Sequence, residues 1–87
     1  MSASNYLLRV RGLLAQTSAV LTAAEEYEVR HLIDHGEPAE ALRTLAWIVV
    51  DGDKKVSRSI IATIRELALG AVSEADMPSS LDSHAID

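Results

Sequence analysis

Apolar residues recur along this chain at helical intervals, in four segments separated by capping and breaking residues, and no segment alternates as a strand does. In the first, Tyr6, Leu7, Val10, Leu13 and Leu14 fall at i, i+1, i+4, i+7 and i+8, one face of a helix, with Ser4 or Asn5 placed to cap it. Gly12 weakens that helix but lies off the apolar stripe. The stretch from Gln16 to Leu21, rich in Thr, Ser and Ala, reads as a connection or as a slack extension of the helix.

Thr22 opens the second segment. Its hydroxyl can accept from the Glu25 backbone while the Glu25 carboxylate reaches back to the Thr22 N–H, a capping box. Glu25, Glu26 and Glu28 suit the positive end of that helix. The apolar face is thin, Tyr27 or Val29 with Leu32 and Ile33, and Gly36 supplies the left-handed residue that ends it. Pro38 belongs in the first turn of a new helix, so two helices meet sharply at His35-Gly36-Glu37. The third helix, about Pro38 to Asp51, is apolar most of the way round: Leu42, Leu45, Ala46 and Val49 on one face, Ala41, Trp47, Ile48 and Val50 extending it. Such a helix is central. Asp51-Gly52-Asp53 stops it; an Asp-Gly step could also turn a β-hairpin behind Ile48-Val49-Val50, but the helical period continues from Ala39. Ser57 caps the fourth helix, with Val56 and Ile61 as a hydrophobic staple and Ile60, Ile61, Ile64, Leu67 and Ala68 on one face up to Gly70.

Residues 71–87 are Ser-rich, carry four acids and Pro78, and have only scattered apolar positions, so the composition predicts a frayed, disordered tail. The expected fold is all-α: one domain over residues 1–70, a small bundle of about four short helices, followed by a flexible acidic tail.

Composition narrows the picture. With 48 % hydrophobic residues but no Phe, one Trp and two Tyr among 87 residues, the single modest core must be aliphatic. The absence of Cys excludes a disulfide framework, a thiolate nucleophile and a Cys-based zinc site. Met1-Ser2-Ala3-Ser4-Asn5 lacks the features of a signal peptide, and the longest apolar run, Leu45 to Val50, is too short to span a bilayer, so a cytoplasmic protein is expected.

Charge is the informative property. The net charge of −5 has the wrong sign for a protein that neutralises phosphates, which disfavours direct nucleic-acid binding. Helices two and three have the outline of a helix-turn-helix, yet Arg43 is the only basic residue in the helix that would read the groove. Residues 1–21 carry +2, residues 22–42 carry −5, residues 43–70 carry +2 and the tail −4. Helix-dipole matching accounts for the first three Glu but not for Asp34, Glu37 and Glu40 crowding the same neighbourhood. Glu25, Glu26, Glu28, Asp34, Glu37 and Glu40 are therefore the candidate partner-binding residues, an acidic surface suited to docking on a basic protein.

Other chemistry finds little support. His31 and His35 at i, i+4 with Glu28 could share a helix face as metal ligands, but histidines in a last helical turn are also explained by the helix dipole, so no metal or cofactor is expected. No nucleophile with an oriented base and no glycine-rich phosphate loop can be assembled, and no catalytic residue is assigned; the chain reads as a non-enzyme.

The stretch Ala23-Ala24-Glu25-Glu26 through Val29 to Glu37, then Ala41-Leu42, Leu45-Ala46-Trp47, Asp51 to Lys55, Val56-Ser57, and Ile64 with Leu67 resembles the small MafI-type immunity proteins of bacteria. Those are short helical proteins with a Gly-Glu step between two helices, an Ala-Leu pair after it, and a charged loop before a Ser-capped last helix. The resemblance covers residues 20–69 and implies a cytoplasmic partner of a cognate polymorphic or contact-dependent toxin, often a nuclease, which the chain neutralises. No contact residue carries over from the family; the candidates rest on charge clustering. Trp47 reads as the centre of the core or, second, as an interface anchor. The alternative function is a homodimeric helical adaptor or regulatory module joined through Trp47, Ile48 and Val50.

Overall fold

A computed structural model describes residues 3–86. Four α-helices follow one another: α1 (Ala3–Thr17), α2 (Ala23–Asp34), α3 (Pro38–Asp51) and α4 (Arg58–Ala68). Short 3₁₀ turns occupy Ser18–Val20, Glu74–Asp76 and Leu81–His84, and no strand forms among the described residues. The all-α bundle expected from the apolar periods is what the chain adopts, and the hairpin alternative at Asp51-Gly52 is not.

The helix ends follow from local chemistry. At Thr22 the capping box is complete: the Glu25 N–H donates to Thr22 Oγ1 at 3.1 Å and the Thr22 N–H donates to Glu25 Oε1 at 2.9 Å. α2 closes in a Schellman arrangement, Glu37 N–H to Leu32 O and Gly36 N–H to Ile33 O, with Gly36 at φ +75°, a conformation a β-carbon would strain. Pro38 opens α3 directly afterwards. α3 ends in the same pattern, Lys54 N–H to Val49 O and Asp53 N–H to Val50 O, but here the left-handed residue is Asp53, at φ 50°. Gly52 serves a different need: a β-carbon there would lie 2.9 Å from the Ile48 carbonyl oxygen. Ser57 caps α4 through its hydroxyl, and Val56 and Ile61 are both buried, as a staple requires. One expectation fails at the start of α1, where Ser4 and Asn5 lie inside the first turn rather than at its cap. Gln16 and Thr17 continue α1, and the Thr17 hydroxyl, buried, donates back to the Leu13 or Leu14 carbonyl.

α3 is the central element and packs against the other three helices. Ala41, Leu42, Leu45, Ala46 and Val49 are fully buried, meeting Val10, Leu13 and Leu14 of α1, Val29 and Ile33 of α2, and Ile61, Ile64, Leu67 and Ala68 of α4 in one aliphatic core. Of the α2 alternatives, Val29 faces inward and Tyr27 outward. Tyr6 donates its hydroxyl to the Leu67 carbonyl at 2.8 Å, tying α1 to the last turn of α4, and burial pushes its phenol up from the usual value.

Residues 71–86 correct the expectation of a disordered tail. They run back over α3 and α4: Leu81 is fully buried, Pro78 and His84 are buried, and Val72, Met77 and Ala85 pack against the core. Val56 and Ala85 form an isolated parallel bridge, with Val56 N–H to His84 O and Ile86 N–H to Val56 O, while the His84 Nδ1 is 2.8 Å from the Lys54 carbonyl oxygen. Arg65 and Asp82 add an ion pair at 2.8 Å. The four acids thinned the apolar pattern without abolishing it, because Leu81 and its neighbours need only one face to pack. The radius of gyration, 11.7 Å, is close to the roughly 12 Å of a single folded unit of this length.

Candidate functional site

α2 and α3 pack side by side and leave a groove of about 440 Å³ along their outer seam. Glu25 and Glu28, at i, i+3 on α2, form one wall. The other is the stripe of α3 that begins at Arg43 and Thr44, continues through Trp47 and Ile48, and ends at Asp51 and Gly52, successive residues four apart along one face.

The charges in this groove divide into matched and unmatched. Glu25 Oε1 lies 2.9 Å from Lys54 Nζ, and the Thr22 backbone N–H, with Lys54 second, holds the Glu25 carboxyl below its ordinary value. Arg43 donates from Nε and Nη2 to the two oxygens of Glu40 at 3.1 and 2.8 Å, a two-pronged bond that also lowers the Glu40 carboxyl. Glu28 and Asp51 are exposed and form no ion pair among the described residues. They leave the groove negative. Asp51 moreover occupies the last turn of α3, where the helix dipole is negative and no basic side chain compensates it.

Trp47 is not the centre of the core. It sits between Arg43 and Asp51 with 37 % of its surface exposed, and its Nε1–H donates to the Asp76 carbonyl at 2.8 Å. The returning segment thus fixes the indole as a wall of the groove. Ile48 and Val50 are partly packed against the core, so α3 presents less apolar surface than its sequence implies.

The six acids singled out by charge do not form one patch. Glu25 and Glu28 line the groove; Asp34 turns toward α1 and pairs with Arg11 at 3.1 Å; Glu26 pairs with Arg30 at 3.1 Å; Glu40 holds Arg43. Glu37 is exposed at the α2–α3 corner without an ion pair among the described residues. Asp51, which as part of the helix stop drew attention only for its turn, joins the groove because it is eight residues, just over two turns, beyond Arg43. On the outer face of α2, Tyr27, His31 and His35 form a ladder of rings with centroid separations of 5.7 and 4.1 Å. His35 Nδ1 is 2.8 Å from the His31 carbonyl oxygen. Glu28 does not complete a metal site with them: among the described residues no group of three or more His, Cys, Asp or Glu could hold an ion. No described helix is long and apolar enough to cross a membrane.

Fold and groove together define a small all-α protein with an acidic, tryptophan-walled cleft. No protein-family model, curated protein or solved structure matches the chain.

Proposed function

We propose that this chain is an immunity protein that binds a cognate bacterial polymorphic or contact-dependent toxin, a basic nuclease, and neutralises it by covering the active site with an acidic surface. The observation that carries the reading is the charge left over at the α2–α3 seam. Among the described residues Glu28, Glu37 and Asp51 stand exposed without an ion pair, whereas Arg9, Arg11, Arg30, Arg43, Lys54 and Arg65 are each engaged with an acid of the chain itself. An acidic seam of this kind attracts a cationic partner and repels nucleic acid. The resemblance to MafI-type immunity proteins supports the same function.

The test is co-expression with basic nuclease toxin domains, beginning with any that the neighbouring genes encode. The chain rescues growth, inhibits the purified nuclease at one-to-one stoichiometry, and associates at a rate that falls steeply with salt. Failure to protect, or association indifferent to salt, refutes the proposal. The homodimer alternative has less to stand on, since Ile48 and Val50 are partly packed inward and Trp47 is tied to Asp76.

A further inference from the structure

Resting on that reading, the geometry points to the groove between α2 and α3 as the slot for one arginine side chain of the basic partner, stacked on Trp47 and paired with Glu28 and Asp51.

Three independent features converge there. Trp47 is the only Trp of a chain with three aromatic residues, yet the central helix leaves it partly exposed. Its one polar atom is satisfied by the Asp76 carbonyl, so the ring is held in place with part of its surface open, the arrangement that receives a cation. Second, Glu28 and Asp51 stand on opposite walls, neither in an ion pair among the described residues; of the cations near the groove, Arg43 is spent on Glu40 through both prongs and Lys54 on Glu25. Third, Asp51 stands in the last turn of its helix, where a carboxylate is unfavourable, and has no ion-pair partner among the described residues.

The occupant is arginine rather than lysine because a planar guanidinium can lie on the indole while its diverging N–H groups reach two carboxylates; an ammonium offers a compact charge without the plane. A phosphate or carboxylate ligand would face the two unpaired acids. The groove volume, about 440 Å³, accommodates an extended side chain and its first waters.

Trp47 also supplies the readout, since all tryptophan emission comes from this groove. The intact chain is titrated at low salt with an end-capped four-arginine peptide, followed by fluorescence and by calorimetry, with four-lysine and four-citrulline peptides in parallel. Saturable change in Trp47 emission is expected, in the order arginine, lysine, citrulline. Glu28→Gln and Asp51→Asn each weaken arginine binding about tenfold, the loss of one charge-assisted contact, while Glu37→Gln does not. Asp51→Asn carries a signature that a purely structural residue would not: the melting temperature of the free chain holds or rises as the affinity falls. Calorimetric binding that leaves Trp47 emission unchanged, and is lost in Glu37→Gln but not in Glu28→Gln, overturns the slot while leaving the acidic-surface reading intact. Absence of any binding to the arginine peptide overturns the slot as well; the co-expression assay decides the wider function independently.

Discussion

Truncating Leu81 to alanine measures whether the returning segment belongs to the fold. Leu81 is fully buried in the 3₁₀ turn Leu81–His84, which packs on α3 and α4, and the change removes a buried side chain whose neighbours are held by helices that cannot close the gap. Leucine-to-alanine replacements at such sites cost about 2–5 kcal/mol, the transfer of the lost methyl groups plus the cavity. A domain of this size has about 5–15 kcal/mol in total, and a loss near 3 kcal/mol lowers the melting temperature by about 12–24 °C. Leu69, 87 % exposed, is the control, and its truncation should move stability by less than about 0.5 kcal/mol. Urea unfolding followed by far-UV circular dichroism gives the free energy. Trp47 fluorescence gives a second probe, because the indole is bonded to Asp76 within the same segment. The two transitions should coincide. A Leu81→Ala protein as stable as the parent, or a Trp47 transition at clearly lower urea than the helical one, would show that the segment is not part of the cooperative unit and would refute the packing argument.

Thr22→Ala removes the acceptor of the Glu25 N–H and should cost about 1 kcal/mol in the same urea assay. Two glycine replacements should act in opposite directions. Gly12→Ala, in an exposed helical position with nothing within 4 Å of the added carbon, stabilises by about 0.5–1 kcal/mol, whereas Gly36→Ala, at φ +75°, destabilises by about 1 kcal/mol or more; calorimetric melting separates them. Acidification tests Glu25 and Glu40, whose carboxyls are lowered in the folded chain by Thr22 with Lys54 and by Arg43 respectively. Because the unfolded chain takes up these protons first, their contribution is complete above the ordinary carboxyl value of 4.5 and is lost as pH falls through the lower folded values. The urea midpoint should drop across that range, with a shallower slope in Lys54→Gln.

The helices were legible because each is written twice, once in its apolar period and once in its punctuation: Thr22 with Glu25, Gly36 before Pro38, and Ser57 with Val56 and Ile61 all act where the pattern places them. The segment after Gly70 was not, because a strap that crosses a bundle buries isolated residues such as Leu81 and His84, and irregular spacing has no period to detect. The groove was half legible. Charge counting found Glu25 and Glu28 but could not separate them from Asp34, whose partner Arg11 lies on α1, or from Glu26, which is matched by Arg30 one turn away. Trp47 misled for a related reason: a large apolar residue on an apolar helix reads as core, and its partial exposure depends on a carbonyl twenty-nine residues further along.

The bond from the Trp47 indole to the Asp76 carbonyl makes the groove and the strap one thermodynamic system. Local opening around Glu74–Asp76 releases the indole, so a ligand that favours the fixed ring must suppress that opening and slow hydrogen exchange at backbone amides it never touches. The influence runs in reverse as well: a substitution that opens the strap lowers the apparent affinity in proportion to the fraction of molecules left with the indole fixed, and a partner gripping the strap would tighten the slot from a distance.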